Sequence, residues 1–148
     1  MPLPPFAGSG ELPPGVHPAT LAETLERFGT ASSQRKLIAL RLERIHRLAS
    51  ATDHLARFVI FGSFVTAKPE PNDVDVFLLM ADTFDAGQLV GETRLLFEHA
   101  AAQAHFGAGV FWLRRLAVLG GEQETIEYWQ LKRDGGKRGV VEVIQESS

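Results

Sequence analysis

The sequence predicts an α/β fold in which helices pack on a mixed β-sheet, preceded by two N-terminal helices. Short apolar runs of β-type alternate with segments whose apolar residues recur at helical spacing. Residues 74–80 are nearly all apolar, which is typical of a strand covered on both faces. The 148 residues, 45% of them hydrophobic, suit one domain with one core. These observations together favour a layered α/β domain.

The N-terminal part is expected to begin with an irregular leader over residues 1–17, which is rich in proline and glycine. Residues 18–148 are then one domain. A first helix is predicted over 18–28, opened by Pro18 and stopped by Gly29. A second is predicted over 33–49. Its apolar face is assigned to Leu37, Leu40, Ile45 and Leu48, and its charged residues to a solvated face.

The remaining elements alternate between strands and helices. A strand at 58–61 leads through Gly62 and Ser63 into a brief helix, and a proline-rich turn then precedes the apolar strand. The later predictions are a long helix at 85–105, a strand at 109–119, a short helix at 122–129 and a final strand at 139–144.

The composition excludes several classes of function. The chain has no cysteine, so disulfides, cysteine-bound zinc and thiol catalysis are ruled out. The formal net charge of −3 gives no overall basic footprint for nucleic acid, although a local patch can still form. The sequence shows no apolar run of the roughly 18 residues that a membrane span needs. A cytoplasmic protein is the expectation.

The centre of the chain carries the strongest functional pattern. Asp73 and Asp75 are two residues apart at the start of a predicted strand, so their side chains would share one face. Two carboxylates in that position repel each other, and a divalent cation relieves the repulsion. Mg²⁺ is commonly held by such carboxylates together with phosphate oxygens. Gly62 would let a phosphate approach the backbone, and Ser63 adds a hydroxyl.

Simpler explanations exist for each residue taken alone. Asp73 can merely complete a turn, Asp75 can be a satisfied polar residue, and Lys68 can be a solvated turn residue rather than a triphosphate contact. The combination of Gly-Ser and Asp-x-Asp between two β-type runs favours a metal–nucleotide site with Mg²⁺ or Mn²⁺.

The segment from Phe58 to Met80 resembles the signature of the nucleotidyltransferases of the DNA polymerase β-like superfamily, and more closely that of a small uncharacterised bacterial nucleotidyltransferase-like family. The resemblance implies that Asp73 and Asp75 bind the metal and that Gly62 and Ser63 hold the triphosphate. It also implies a third carboxylate on a later strand. The best candidate is Glu142, alone in an apolar strand, and the alternative is an edge-strand residue that faces water. Glu124 and Glu127 are weaker candidates.

The expected function is therefore metal-dependent transfer of a nucleoside monophosphate from a nucleoside triphosphate to a hydroxyl on tRNA or protein. By the same resemblance, it could belong to a bacterial toxin–antitoxin or phage-defence pair. The alternative is a catalytically degenerate module that binds a nucleotide or a partner protein.

Two further groups of residues leave alternatives open. The basic cluster of Lys132, Arg133, Lys137 and Arg138 can bind RNA phosphates or an acidic partner, or it can belong to a polar hairpin. Trp129 can stack on a base or belong to the core.

Overall fold

The computed structural model of the protein describes residues 3–118 and 120–144. A five-stranded mixed sheet has the spatial order β1-β5-β2-β3-β4. The strands are β1 (Val16–Thr20), β2 (Leu55–Phe61), β3 (Val74–Met80), β4 (Ala108–Arg114) and β5 (Val140–Ile144). The α-helices are α1 (Leu21–Phe28), α2 (Ser33–Ser50), α3 (Gly91–Leu96), α4 (His99–Phe106) and α5 (Glu122–Tyr128). Single 3₁₀ turns cover Ser63–Val65, Ala86–Gln88 and Arg115–Ala117. The predicted α/β class with a mixed sheet is confirmed.

The strand directions bring distant parts of the chain together. β2 is antiparallel to both of its neighbours, β3 and β5, whereas the outer pairs β1–β5 and β3–β4 are parallel. The end of β2 therefore meets the beginnings of β3, β4 and β5 at one edge of the sheet. The last strand in sequence lies between the first strand and the rest of the sheet.

The two faces of the sheet are covered differently. On one face, helices α1 to α4 pack on alternate side chains of the strands and form the larger core. On the other face, a smaller cluster forms around Val59, Phe77, Leu79, Ile126 and Val140, with α5 as its helix. We call these the helix face and the open face.

The beginning of the domain differs from the sequence prediction. Residues 18–20, expected to open a helix, belong to strand β1. Pro18 is tolerated there because β1 is an edge strand and a missing N–H group breaks no central ladder. The helix begins after Thr20, whose hydroxyl and Glu23 form a reciprocal capping box. The leader is also less irregular than expected, since Leu12 is buried and Glu11 bridges to Thr66.

The second helix occupies the predicted residues, but its buried stripe is different. Leu37 and Leu40 are exposed, and the inward positions are Arg35, Ile38, Leu42, Ile45 and Ala49. These positions recur at intervals of three and four residues, as one side of a helix requires. Arg35 therefore lies within the stripe and not on a solvated face.

The prediction of one long helix over 85–105 is wrong. The structure divides this region into a 3₁₀ turn and the two helices α3 and α4. Gly91 at the start of α3 has a φ of 64°, a left-handed conformation that interrupts a continuous helix. A second break falls at Phe97 and Glu98, between α3 and α4. In the described ranges, every helix lacks either the length or the apolar character that a membrane crossing demands.

Candidate functional site

The candidate site lies at the sheet edge where β2 ends and β3 begins. Antiparallel pairing places Phe61 opposite Asp75, so Gly62 and Asp75 become neighbours although the chain separates them. Parallel pairing of β3 with β4 places Gly109 opposite Asp75 on the other side. Asp75 therefore lies between two glycines supplied by neighbouring strands.

The Asp75 carboxylate fits into the space that these glycines leave. A Cβ atom on Gly62 would come within 2.5 Å of Oδ2, and one on Gly109 would come still closer to Oδ1. Gly62 also has a φ of 84°, a conformation that other residues rarely adopt. Both positions therefore require glycine while the carboxylate keeps its place.

Asp75 is partly buried and carries a perturbed charge. Burial is the main cause that raises the pKa of its carboxyl to about 6, and the nearby Asp73 raises it further. The positive charges of Arg138 and Arg133 act in the opposite direction. Within the part of the chain that the structure describes, Asp75 makes no side-chain hydrogen bond. A half-buried carboxylate next to a second one, without a donor to satisfy it, is suited to a cation.

The loop after Gly62 carries Ser63 and Lys68 and is held from beneath by Arg35. Ser63 begins a 3₁₀ turn of only three residues, so the expected brief helix is present but short. The buried guanidinium of Arg35 donates to the carbonyl oxygens of Phe64, Thr66, Lys68 and Phe28. Burial lowers the pKa of Arg35, and Glu70 opposes that change. These bonds fix the path of the loop from the inside.

A polar cavity of about 450 Å³ opens beside this loop. Its lining includes Ser63 and Lys68 from the loop, Arg138 from the segment before β5, and Ser9–Glu11 from the leader. Glu11 lies 3.4 Å from Arg138 and 3.2 Å from Lys132. The leader is joined to the loop by a 2.7 Å hydrogen bond from the Ala67 amide to the Gly10 carbonyl, and the leader's own turn is closed by a 2.8 Å bond from the Ala7 amide to the Glu11 carbonyl. The structure thus brings the predicted residues Ser63 and Lys68 to one cavity with a basic side chain from the predicted cluster.

The structure does not bring Glu142 to the aspartates. Glu142 pairs in register with Val59, two strands from β3 and two residues along from the level of Asp75. Strand spacing places it roughly 10 Å or more from Asp75. Its carboxylate instead receives two bonds from Arg57, at 2.7 and 2.5 Å. The expectation that Glu142 completes a three-carboxylate set is therefore corrected.

No other acid takes that place in the described residues. Glu124 and Glu127 are exposed on α5, and residues 3–118 and 120–144 contain no group of three potential metal ligands. Glu142 is also not an edge-strand residue, because β5 lies inside the sheet. The site therefore has two carboxylates in the described structure.

Aromatic side chains surround the open-face side of Asp75. The indole of Trp129 lies 4.6, 5.1 and 5.2 Å, between ring centroids, from Phe61, Phe77 and Phe111 respectively. His99 lies 4.8 Å from Phe111. Phe61 and Phe77 flank Asp75 directly, one opposite it on β2 and one two residues further on β3. Trp129 therefore contacts the open-face core, and the same cluster borders the site.

Three contributors to the site were missed by sequence reasoning. Arg35 could have been found from its position in the 3–4 spaced stripe of α2. Gly109 gave no local signal, because its importance depends on the register between β3 and β4. Glu11 gave none either, because the leader reaches the site only through long-range pairing.

The fold and the site define a class: an α/β protein with a glycine-flanked pair of carboxylates at a sheet edge, next to a polar cavity. The chain belongs to the family described as "Family of unknown function (DUF6932)", whose model matches residues 4–144. No curated protein and no solved structure is significantly similar to the chain.

Proposed function

We propose that the protein binds a nucleoside triphosphate with a divalent cation and transfers its nucleoside monophosphate to a hydroxyl group on a macromolecule. The observation that carries the proposal is the Asp75 carboxylate. It is placed between Gly62 and Gly109, next to Asp73 and without a hydrogen-bond partner in the described structure. The resemblance of residues 58–80 to nucleotidyltransferases supports the same reading.

The donor set fits a magnesium ion. Asp73 and Asp75 offer carboxylate oxygens, and Mg²⁺ typically takes one or two of these and fills its remaining positions with water and phosphate oxygens. When bound, the ion supplies positive charge that offsets the negative charge building up on a transferring phosphoryl group. The pKa of the Asp75 carboxyl is about 6, so at neutral pH the group is ionised and can bind a cation.

Several groups of the chain can bind the polyphosphate. Gly62 leaves the backbone accessible, and Ser63 can donate a hydroxyl hydrogen bond to a phosphate oxygen. Lys68 and Arg138 line the same cavity and can neutralise phosphate charge. Arg35 keeps the carbonyls of the loop directed inward and away from the anion.

A specific observation favours a second candidate. Because Arg57 binds Glu142 at a distance from the aspartates, the described residues provide no third carboxylate to accept the proton of the attacking hydroxyl. The second candidate is therefore a module that binds a nucleotide, or a partner through this site, without turnover. The enzyme remains our first proposal because the partly buried Asp75 carboxylate, beside Asp73 and without a hydrogen-bond donor in the described structure, suits a cation.

The test is transfer of label from nucleoside triphosphates labelled on the α-phosphate. Purified protein is incubated with each of the four nucleotides, Mg²⁺ or Mn²⁺, and either total tRNA or cell protein. We expect labelled RNA or protein together with released pyrophosphate. The Asp75→Asn variant should abolish both, and Glu142→Gln should not.

The outcomes separate the two candidates. Metal-dependent nucleotide binding without any transfer would favour the binding module. Absence of binding as well as transfer would contradict both candidates. Transfer that persists in Asp75→Asn would show that the activity comes from a contaminant or another site.

A further inference from the structure

A second cavity, of about 420 Å³, lies at the edge strand β4 and is lined from both faces of the sheet. Its walls are mostly aromatic: Phe77, Phe111 and Trp129 belong to the open face, and Trp112, Phe97 and His99 lie on the side of the helices. The exposed share of Phe111 is 36%, so part of this residue is accessible from the cavity side or from solvent. A cavity of this size falls within the range of small-molecule sites.

The cavity adjoins the carboxylate site along two neighbouring strands. Phe77 follows Asp75 by two residues on the same face of β3, and Phe111 follows Gly109 in the same way on β4. A Cβ on Gly109 would lie 3.5 Å from the Phe111 ring and would also meet the Asp75 carboxylate. Asp75 therefore lies between Gly62, whose neighbour Ser63 lines the polar cavity, and Gly109, whose neighbour Val110 lines the aromatic cavity.

The lining has the chemistry of a stacking site for a planar ring. Phe111 and Trp129 offer π faces, which hold nucleobases by stacking with little dependence on base identity. His99 Nδ1 lies 3.2 Å from the Val110 carbonyl, and because a carbonyl only accepts, Nδ1 carries the proton in that bond. The other ring nitrogen, Nε2, is then left to interact with a polar ring edge.

Trp129 adds a second indication. Its buried indole N–H has no hydrogen-bond partner among the residues that the structure describes. Tryptophan N–H groups in a completed core usually find an acceptor. The aromatic cluster that lines the cavity thus contains one polar group without an acceptor in the described structure.

We propose that this aromatic cavity receives the base of the nucleotide whose phosphates occupy the polar cavity, with Asp75 between the two. The proposal rests on the proposed function and adds to it the part of the protein that recognises the base. It assigns base contacts to Phe111, Trp129 and His99, none of which belongs to the Gly-Ser or Asp-x-Asp motifs.

The experiment compares ligands that share phosphates but differ in the ring. Equilibrium binding of the four nucleoside triphosphates and of inorganic tripolyphosphate is measured with Mg²⁺. The reporter is tryptophan fluorescence in a Trp112→Phe background, which keeps an aromatic ring at this cavity-lining position and leaves Trp129 as the single tryptophan. The test variant is Phe111→Leu, which keeps an apolar side chain but removes the ring face. Leu116→Ala, a highly exposed position nearby, is the matched control.

We expect at least one nucleotide to change Trp129 fluorescence and to bind about tenfold more tightly than tripolyphosphate, as stacking of one base implies. Phe111→Leu should remove most of that advantage while leaving tripolyphosphate affinity unchanged. Lys68→Ala should instead weaken both ligands. His99→Ala, at an exposed position, provides the same comparison if Phe111→Leu does not fold.

Equal binding of nucleotides and tripolyphosphate would overturn the base site and leave the proposed phosphate site standing. An equal loss of both ligands in Phe111→Leu, without loss in Leu116→Ala, would overturn it too. Failure of every ligand to bind would overturn both proposals. Ring-dependent binding without label transfer would support the base site and contradict the enzyme.

Discussion

The two faces of strand β3 differ in a way that separates folding from function. Toward the helix face, Val74, Val76, Leu78 and Met80 are completely buried. Toward the open face, the strand begins with the half-buried Asp75 and becomes apolar only at Phe77. The helix face of β3 therefore contributes apolar burial along its whole length. The open face contributes less, because Asp75 takes the place of an apolar side chain at the sheet edge.

The same contrast applies to charged side chains. On the open face, Arg57 and Glu142 neutralise each other, while Asp75 has no such partner in the described structure. On the helix side, the one charged residue in the α2 stripe, Arg35, holds the loop of the site. A partly buried charge with a partner contributes to structure, whereas Asp75, which lacks one, is the group on which the proposed binding site depends.

The largest expected effect is on the helix face. Leu78→Ala should lower the free energy of unfolding by about 2–5 kcal/mol, because it removes apolar contacts and leaves a cavity. Urea denaturation of the variant and of the parent measures the difference. Nucleotide binding per folded molecule should not change. A loss below about 1 kcal/mol would contradict the assignment of this face as the main core.

Arg35→Met tests whether a buried charge on the helix side supports the site. Loss of its donors leaves buried carbonyl groups unpaired, so stability should fall by about 2–4 kcal/mol. Ligand affinity should fall as well, because the loop carrying Ser63 loses its support. Arg47→Met, at an exposed position on the same helix, is the control for both measurements. Unchanged ligand affinity in folded Arg35→Met would remove Arg35 from the site.

Asp75→Asn should make the metal-free protein more stable. The carboxyl has a pKa of about 6 in the folded chain and about 3.9 when unfolded. Between these values the folded state binds more protons, so stability falls as pH rises from about 4 to about 6 and stays lower above.

The substitution should therefore raise the free energy of unfolding by about 1–2 kcal/mol at pH 7.5, after allowance for solvent screening. The gain should disappear near pH 4. Urea titrations in a chelating buffer measure the difference in free energy of unfolding between the variant and the parent. Asp82→Asn is the control for loss of an exposed carboxylate. A stability loss at pH 7.5 would contradict the picture of Asp75 as a strained, ligand-directed group.

Gly109→Ala should disturb the site while leaving the fold almost intact. The added methyl group would meet the Asp75 carboxylate, whereas alanine is compatible with a strand backbone. We expect metal-dependent nucleotide affinity to fall about tenfold, or about 1.4 kcal/mol, with little change in the urea midpoint. Gly8→Ala, where an added Cβ meets no neighbour, is the matched control. Unchanged affinity would show that the displaced carboxylate is not a ligand.

Glu142→Gln should have the smallest effect. The ion pair with Arg57 is mostly buried, with 18% of the Glu142 side chain exposed, and its loss should cost about 1 kcal/mol of stability. Nucleotide binding and label transfer should be unchanged. A strong loss of transfer with normal binding would instead show that Glu142 moves to the aspartates in the working complex.

The sequence predicted the structure correctly wherever a short segment of the chain determines it. Strand β3 occupies the predicted residues, since its apolar run is bounded by a proline-rich turn. The neighbourhood of Gly62 and Asp75 was also predictable, because an antiparallel pair joined by a short connection brings them together. Strand β1 was missed because pairing with β5 overrides the helix signal of Pro18. Glu142 was misjudged because its partner, Arg57, is 85 residues away along the chain.

The position of β5 has a consequence for how the protein is made. β1 pairs only with β5 in the described sheet, and the leader that lines the polar cavity is bonded to the residues just before β5, as in the bond from the Gly139 amide to the Leu12 carbonyl. During synthesis the first strand thus has no place in the sheet until the last strand emerges from the ribosome. Such distant pairing makes assembly slow. The polar cavity, which combines leader residues with Arg138, is therefore incomplete until the segment just before β5 has been made, long after the aspartates.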